Sequence, residues 1–339
     1  MINRRPSLGL SSIPNVPILE EPPTYAARIH TLHLPLLLAC FVALLTGCYE
    51  RKQAMILNPD GSGKVVIETE AELPAVAAPG QGKPSAIEFG RSLARDLINK
   101  TQGIEGWSDL SIRQTPDGRA HVSATAYFSD ISRLRFDFPI LFKWQRQADG
   151  TYLFAVTRER NTAPPNPPGL TDDQIKEQVS IAQSSYKDRQ PLLQTSLSTF
   201  NLQLTFQLPG DITETHLLTR QATTPPAPQS ALRTVSFVID GKKLSAALDK
   251  FMADDAAIAT TIRSGADLMS NDDVLLESMY GQKGPVTATV RVPPDAGPVF
   301  DYDREAKAAL AHEPQMLKDA GVETVPRLTV KPPATTQAK

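Results

Sequence analysis

QAMILNPDGSGKVVIETEAEL, residues 53–73, is the stretch on which the fold turns. Apolar and polar residues flank a central Asn58-Pro59-Asp60-Gly61-Ser62-Gly63. In the second arm Val65, Ile67, Thr69 and Ala71 fall on one face, as a strand's two-residue period requires. Asp-Gly accepts the positive φ angles of tight turns, so the pair between two such runs signals a hairpin. Residues 53–57 and 64–73 are therefore predicted to pair.

The same signal recurs along the chain. Asp117-Gly118 separates 110–115 from 119–128, and Asp149-Gly150 separates 138–147 from 151–158. Each predicts another hairpin. A fourth pair, Asp240-Gly241, lies outside such a context. Between the first two hairpins, Ile87, Gly90, Arg91, Ala94, Leu97 and Ile98 recur at helical spacing, which predicts a helix over 84–100 with Pro84 in its first turn. The order strand-strand-helix-strand-strand predicts an α+β fold, a mainly antiparallel sheet built from hairpins with packed helices.

Past the prolines at 164, 165, 167 and 168, Thr171-Asp172-Asp173 reads as a capped helix start, with the helix ending near Ser185. Phe200, Leu202, Leu204, Phe206 and Leu208 alternate strictly, predicting a strand over 198–208 that Pro209-Gly210 ends. A further loop holds Pro225, Pro226 and Pro228, and 233–239 is a short strand of the same core. Helices are expected at 242–252, 256–263, 273–279 and 301–311, and a strand at 286–292. The tail after Pro326 has the composition of a disordered segment. The expected division is a signal segment at 1–47, an α+β domain at 48–240, a mostly helical portion at 241–325 packed on the same body, and a disordered tail at 326–339.

The N-terminal region has its own signature. Residues 34–45 are uncharged and about a dozen long, too short for the ~20 residues of a spanning helix. A positive flank (Arg28), an apolar run of this length and small residues at the cut (Thr46, Gly47) make a secretory signal. Leu45-Thr46-Gly47-Cys48 resembles the lipobox of bacterial lipoproteins at all four positions. That resemblance implies that the Cys48 thiol is first joined to diacylglycerol, that cleavage then follows, and that the new amino group can be acylated too, with palmitate or a similar acyl chain. Tyr49 follows the cysteine. In Gram-negative lipoproteins an Asp there favours inner-membrane retention, so by resemblance its absence implies the outer membrane, facing the periplasm. Arg4-Arg5 is similar to a twin-arginine signal but lies far from the apolar run. The proline-rich stretch before residue 33 is unusually long, and translation is expected to begin downstream of Met1.

Composition agrees with this compartment. Cys40 falls in the removed segment, so Cys48 is the one cysteine of the mature chain, which excludes an internal disulfide and a cysteine-based zinc site. The whole chain carries a net charge of −2. The removed segment takes with it three arginines (Arg4, Arg5, Arg28) and two glutamates (Glu20, Glu21), so the mature chain is slightly more acidic. No basic excess remains, which argues against nucleic acid as a partner. A hydrophobic content of 41% and a charged content of 21% fit a folded body with a sizeable core.

Gly47-Cys48, a strand, and the turn at 58–63 resemble the LppM-like lipoproteins of mycobacteria over residues 48–240, as does Phe128-Ser129-Asp130-Ile131 after the second hairpin. These motifs are structural, so the resemblance implies an envelope role and carries over no catalytic residue.

Candidate sites weigh toward structure. Residues 58–63 place oxygen side chains at alternating positions, as calcium loops do, but Thr69 stands where the closing Glu is needed. Gly61-Ser62-Gly63-Lys64 lacks the glycine and the Ser or Thr of a phosphate loop, since Asn58 and Val65 occupy those places. His121, His216 and His312 have no second histidine at ligand spacing. Asp172-Asp173, Asp254-Asp255 and Asp272-Asp273 fall at helix starts, where acids stabilise exposed amides. Trp107 and Trp144 read as packing residues, and Arg158-Glu159-Arg160 as a solvated strand end. No catalytic residue, metal ligand or cofactor site is assigned. Two functions remain. One is a membrane-anchored, non-catalytic binding or assembly module whose partner is an envelope protein or a lipid. The other is an envelope hydrolase with a site assembled from distant residues. A pocket joining a histidine to a serine and an acid favours the hydrolase, and an exposed apolar groove favours binding.

Overall fold

Tyr49–Leu57 (β1) and Gly63–Ala71 (β2) pair antiparallel along their whole length, with Leu57 opposite Gly63. This computed structural model describes residues 49–74, 83–136, 140–158, 169–220, 233–264 and 272–324. Residues 1–47, where a signal segment is expected, Cys48 and the tail from 326 lie outside the described residues.

The turn between β1 and β2 uses its polar groups on itself and on its neighbours. Asp60 Oδ1 accepts from the Ser62 amide and hydroxyl at 2.9 and 2.7 Å. Asn58 Oδ1 accepts from the Val299 amide at 2.8 Å. Trp144 Nε1 donates to the Pro59 carbonyl at 3.0 Å, and the Ile131 amide to the Gly61 carbonyl at 3.0 Å. The alternating oxygens thus bind amides, as a tight turn requires. Gly61 sits at φ +90°, where a side chain is strained. Gly61→Val is expected to destabilise by about 1 kcal/mol or more, and calcium to leave the melting temperature of the wild type unchanged. A calcium-dependent rise of several degrees contradicts this account of the turn.

The other two hairpins are Gly106–Gln114 (β3) with Ala120–Phe128 (β4), and Ile140–Arg146 (β5) with Tyr152–Arg158 (β6). Residues 138 and 139, expected in the third hairpin, lie outside the described residues, as do Glu159 and Arg160. Ala86–Lys100 (α1) begins behind a capping box in which Ser85 and Glu88 bond each other's backbone amides. Pro84 precedes the cap and is not in the first turn. The buried stripe is Ala86, Gly90, Ala94, Leu97 and Ile98.

Two sheets result. The larger has the order β3-β4-β2-β1-β7-β10-β9, where β7 is Asn201–Leu208, β9 is Thr219–Arg220 and β10 is Arg233–Asp240. Its strands are antiparallel except that β1 runs parallel to β7. The smaller is the antiparallel set β5-β6-β11-β8, with β8 at Asp211–His216 and β11 at Val286–Arg291. The strand β8 was not expected. It is an edge strand whose one buried apolar residue is Ile212, so its period is nearly silent in the sequence. The core lies between the sheets, where Phe206 of β7 meets Phe142 and Phe154 at ring separations of 6.0 and 4.7 Å. Arg51 is buried on the same strand face as Met55; its guanidinium donates to the Tyr49 hydroxyl at 3.2 Å and stands 5.7 Å from the Phe136 ring.

Asp172–Leu197 (α2) continues well past Ser185, through Pro191. A helix-interior proline costs about 3 kcal/mol, and here tertiary contacts offset it. Tyr186, Gln190 and Gln194 donate to the Asp249 carboxylate at 2.8, 2.7 and 3.3 Å, and Leu193 and Leu197 are buried. Burial, then the bond to Asp249, pushes the Tyr186 phenol pKa well up. Ser198 is the C-cap of this helix, so β7 starts at Asn201 and not at 198. Gly241–Met252 (α3), Asp255–Arg263 (α4) and Asp272–Tyr280 (α5) follow. The last helix, Tyr302–Asp319 (α6), runs through Pro314 and eight residues beyond the expected end at Ala311. Ala306, Ala309, Glu313 and Leu317 are its buried side.

Candidate functional site

The edge strand β3 lies between α1 and α6. Such an edge exposes amides that invite pairing with another chain. Here α6 supplies partners: Glu313 Oε2 accepts from the Trp107 amide at 3.0 Å, and Met316 Sδ from the Leu110 amide at 3.4 Å. The strand is also irregular. Its register with β4 shifts between Ser108 and Ser111, and Asp109 takes φ +56°. The shift makes a β-bulge, which re-aims side chains locally.

Above this strand the two helices leave an open groove of about 590 Å³. Ile87 of α1, Leu110 and Ile112 of β3 and Met316 of α6 give it an apolar floor; His312 and Asp319 are on its polar rim. Arg91 Nε ties α1 to the end of α6 by donating to the Ala320 carbonyl at 3.1 Å. A second recess of about 310 Å³ lies at the turn after β3. It is polar, and Arg119 there is held by Asp117 at 2.7 Å and Glu70 at 3.0 Å.

The three histidines among the described residues fall on separate elements. His121 is buried on β4 with its ring nitrogens 3.2 and 3.3 Å from the Arg113 guanidinium. His216, on β8, has Nε2 2.7 Å from the Lys283 carbonyl oxygen. His312 alone reaches the groove, where Asp319 is the acid; among the described residues its lining includes no serine. The acid pairs open helices. Asp172 and Asp173 follow the Thr171 cap of α2, Asp254 accepts from the Ala257 amide at 3.0 Å as the cap of α4, and Asp272 and Asp273 begin α5. Trp107 is fully buried, and Trp144 stacks on Tyr152 at 4.8 Å. Cys48 lies outside the described residues.

The groove was not foreseen in the sequence. Met316, Asp319 and Ala320 follow Pro314, beyond the expected helix end. The spacing of Ala306, Ala309, Glu313 and Leu317 was the available signal, since it continues one helical face across the proline. None of the helices among the described residues is long and apolar enough to cross a membrane.

No family model matches this sequence, and no curated protein matches it. Among solved structures, the NMR structure of the LppM folded domain from Mycobacterium tuberculosis is similar, with 10% identity over 74% of this chain and 94% of that chain and a TM-score of 0.28. At that level of likeness neither a site nor a role passes from it to this chain.

Proposed function

We propose that this chain is a bacterial lipoprotein, acylated on Cys48 and held in the cell envelope, that acts as a non-catalytic binding or assembly module. The observation that carries the reading is Leu45-Thr46-Gly47-Cys48 behind an uncharged apolar run and directly before the first strand. The open apolar groove between α1, β3 and α6 supports binding over hydrolysis, because its lining among the described residues holds one histidine and one acid, seven residues apart on α6, and no serine. Anchoring raises the local concentration of the groove at the membrane, which favours weak partners there. A lipid chain or an apolar stretch of an envelope protein suits its floor, and its few polar groups orient the guest.

The test is complementation of a deletion strain. Alanine at His121, His216 and His312 together is expected to restore the wild-type phenotype, and Ile87→Arg, on the half-exposed apolar floor of the groove, is expected not to restore it although it folds. A triple histidine variant that folds and localises but does not complement makes the hydrolase the better reading.

A further inference from the structure

The strand that follows the acylation site is paired from its first residue. Tyr49 stands opposite Ala71, Ala71 opposite Ala120, and Ala120 opposite Gln114. On the other side Glu50 stands beside Asn201, and Asn201 opposite Asp240. One end of the large sheet is thus a continuous row from β3 to β10. At that end lie the turn at 115–119, residues 72–74, the corner at 197–200 and the first turn of α3. Tyr49 is locked into it: its ring stacks on Phe200 at 6.2 Å with planes 7° apart, and the Phe200 carbonyl accepts from the Gly241 amide at 2.9 Å.

Resting on the reading that Cys48 is acylated, we propose that this end of the sheet is a membrane-facing surface that lies against phospholipid headgroups. The reason is the absence of a spacer in the sequence. A flexible linker between lipid and body lets the body tumble, but here residue 48 carries the lipid and residue 49 is already in the sheet. With Tyr49 held by Ala71 and Phe200, the tether between lipid and body is a single residue long, which keeps this end near the bilayer. Lys242 and Lys243, exposed at this end on the first turn of α3, face the headgroup phosphates, and long lysine stems suit that boundary. Of the acids at this end, Asp117 is paired with Arg119, Asp240 caps α3 through the Lys243 amide, and Glu72 is exposed. The strand β1 is nine residues long, so at ~3.4 Å per residue its far end stands roughly 27 Å away. The turn at 58–62 and the segment that docks on it through Val299 form the distal pole. The groove belongs to the nearer half. Ile112 shares a cross-strand row with Val122, Thr69 and Arg51, and Arg51 is two residues from Tyr49. Its apolar floor is thereby brought toward the bilayer.

The mature chain has no other cysteine, so an introduced one can be labelled alone. Lys242→Cys marks the near pole. Gly297→Cys marks the far pole, two residues from Val299 and with open space for a side chain. Each acylated protein, its lipid verified by mass, is labelled with a fluorophore and reconstituted into phosphatidylcholine vesicles carrying headgroup spin-labelled phosphatidylcholine. The label at 242 is expected to lose most of its emission and the label at 297 to keep it. A long Gly/Ser segment inserted between residues 48 and 49 is expected to erase that difference. Equal quenching at both positions, or a difference that survives the insertion, overturns the proposal. A protein without acyl chain by mass instead refutes the anchor on which it rests.

Discussion

Phe206→Ala is expected to lower the free energy of unfolding by about 3–5 kcal/mol. Phe206 is 1% exposed and is the point at which the two sheets touch, with Phe142 and Phe154 packed on its ring. Its strand neighbours in register are Met55 of β1 and Val235 of β10, both buried, so no side chain can move in to fill the space. The loss combines the transfer energy of the ring with the cavity left behind. Urea denaturation of the mature body should show the midpoint falling sharply with the slope preserved. Val238→Ala, on an exposed side chain of β10, should change little. A loss below about 1 kcal/mol at Phe206 would mean that the sheets do not share one core.

Gly241→Val should be damaging for a different reason. The fourth Asp-Gly pair is not a hairpin turn. Asp240 caps α3 by accepting from the Lys243 amide at 2.9 Å, and Gly241 is the first helical residue. A β-carbon on Gly241 would lie 2.0 Å from the Leu197 carbonyl oxygen and 2.9 Å from Phe200 Cβ. The first obstacle is backbone, and the Gly241 amide is itself bonded to the Phe200 carbonyl, so neither side can yield cheaply. Overpacking of this kind costs about 1–3 kcal/mol, occasionally more, and the upper end is expected. Asp240→Ala removes only the cap and should cost about 1 kcal/mol. A Gly241→Val protein that melts with the wild type would show that α2 and α3 do not meet at this corner.

These two positions also mark what the sequence could tell. The hairpins were legible because each strand lies beside its partner and the Asp-Gly turn lies between them. The pairing of β1 with β7, and of β11 with β6 and β8, joins segments far apart in the chain, and nothing local records it. The ends of α2 and α6 were misplaced because Pro191 and Pro314 weigh against a helix locally, whereas the buried faces around Leu193 and Leu197, and around Glu313 and Leu317, decide the outcome. The groove needs all three of α1, β3 and α6. Its tie between Arg91 and Ala320 spans 229 residues, which no local pattern reveals.

Anchoring in the envelope depends on residue 48 carrying the lipid. Growth with labelled palmitate, followed by comparison of the wild type with Cys48→Ser, decides this. Label is expected in the wild type alone, with the variant accumulating as unprocessed precursor. Equal labelling of the two proteins would contradict it.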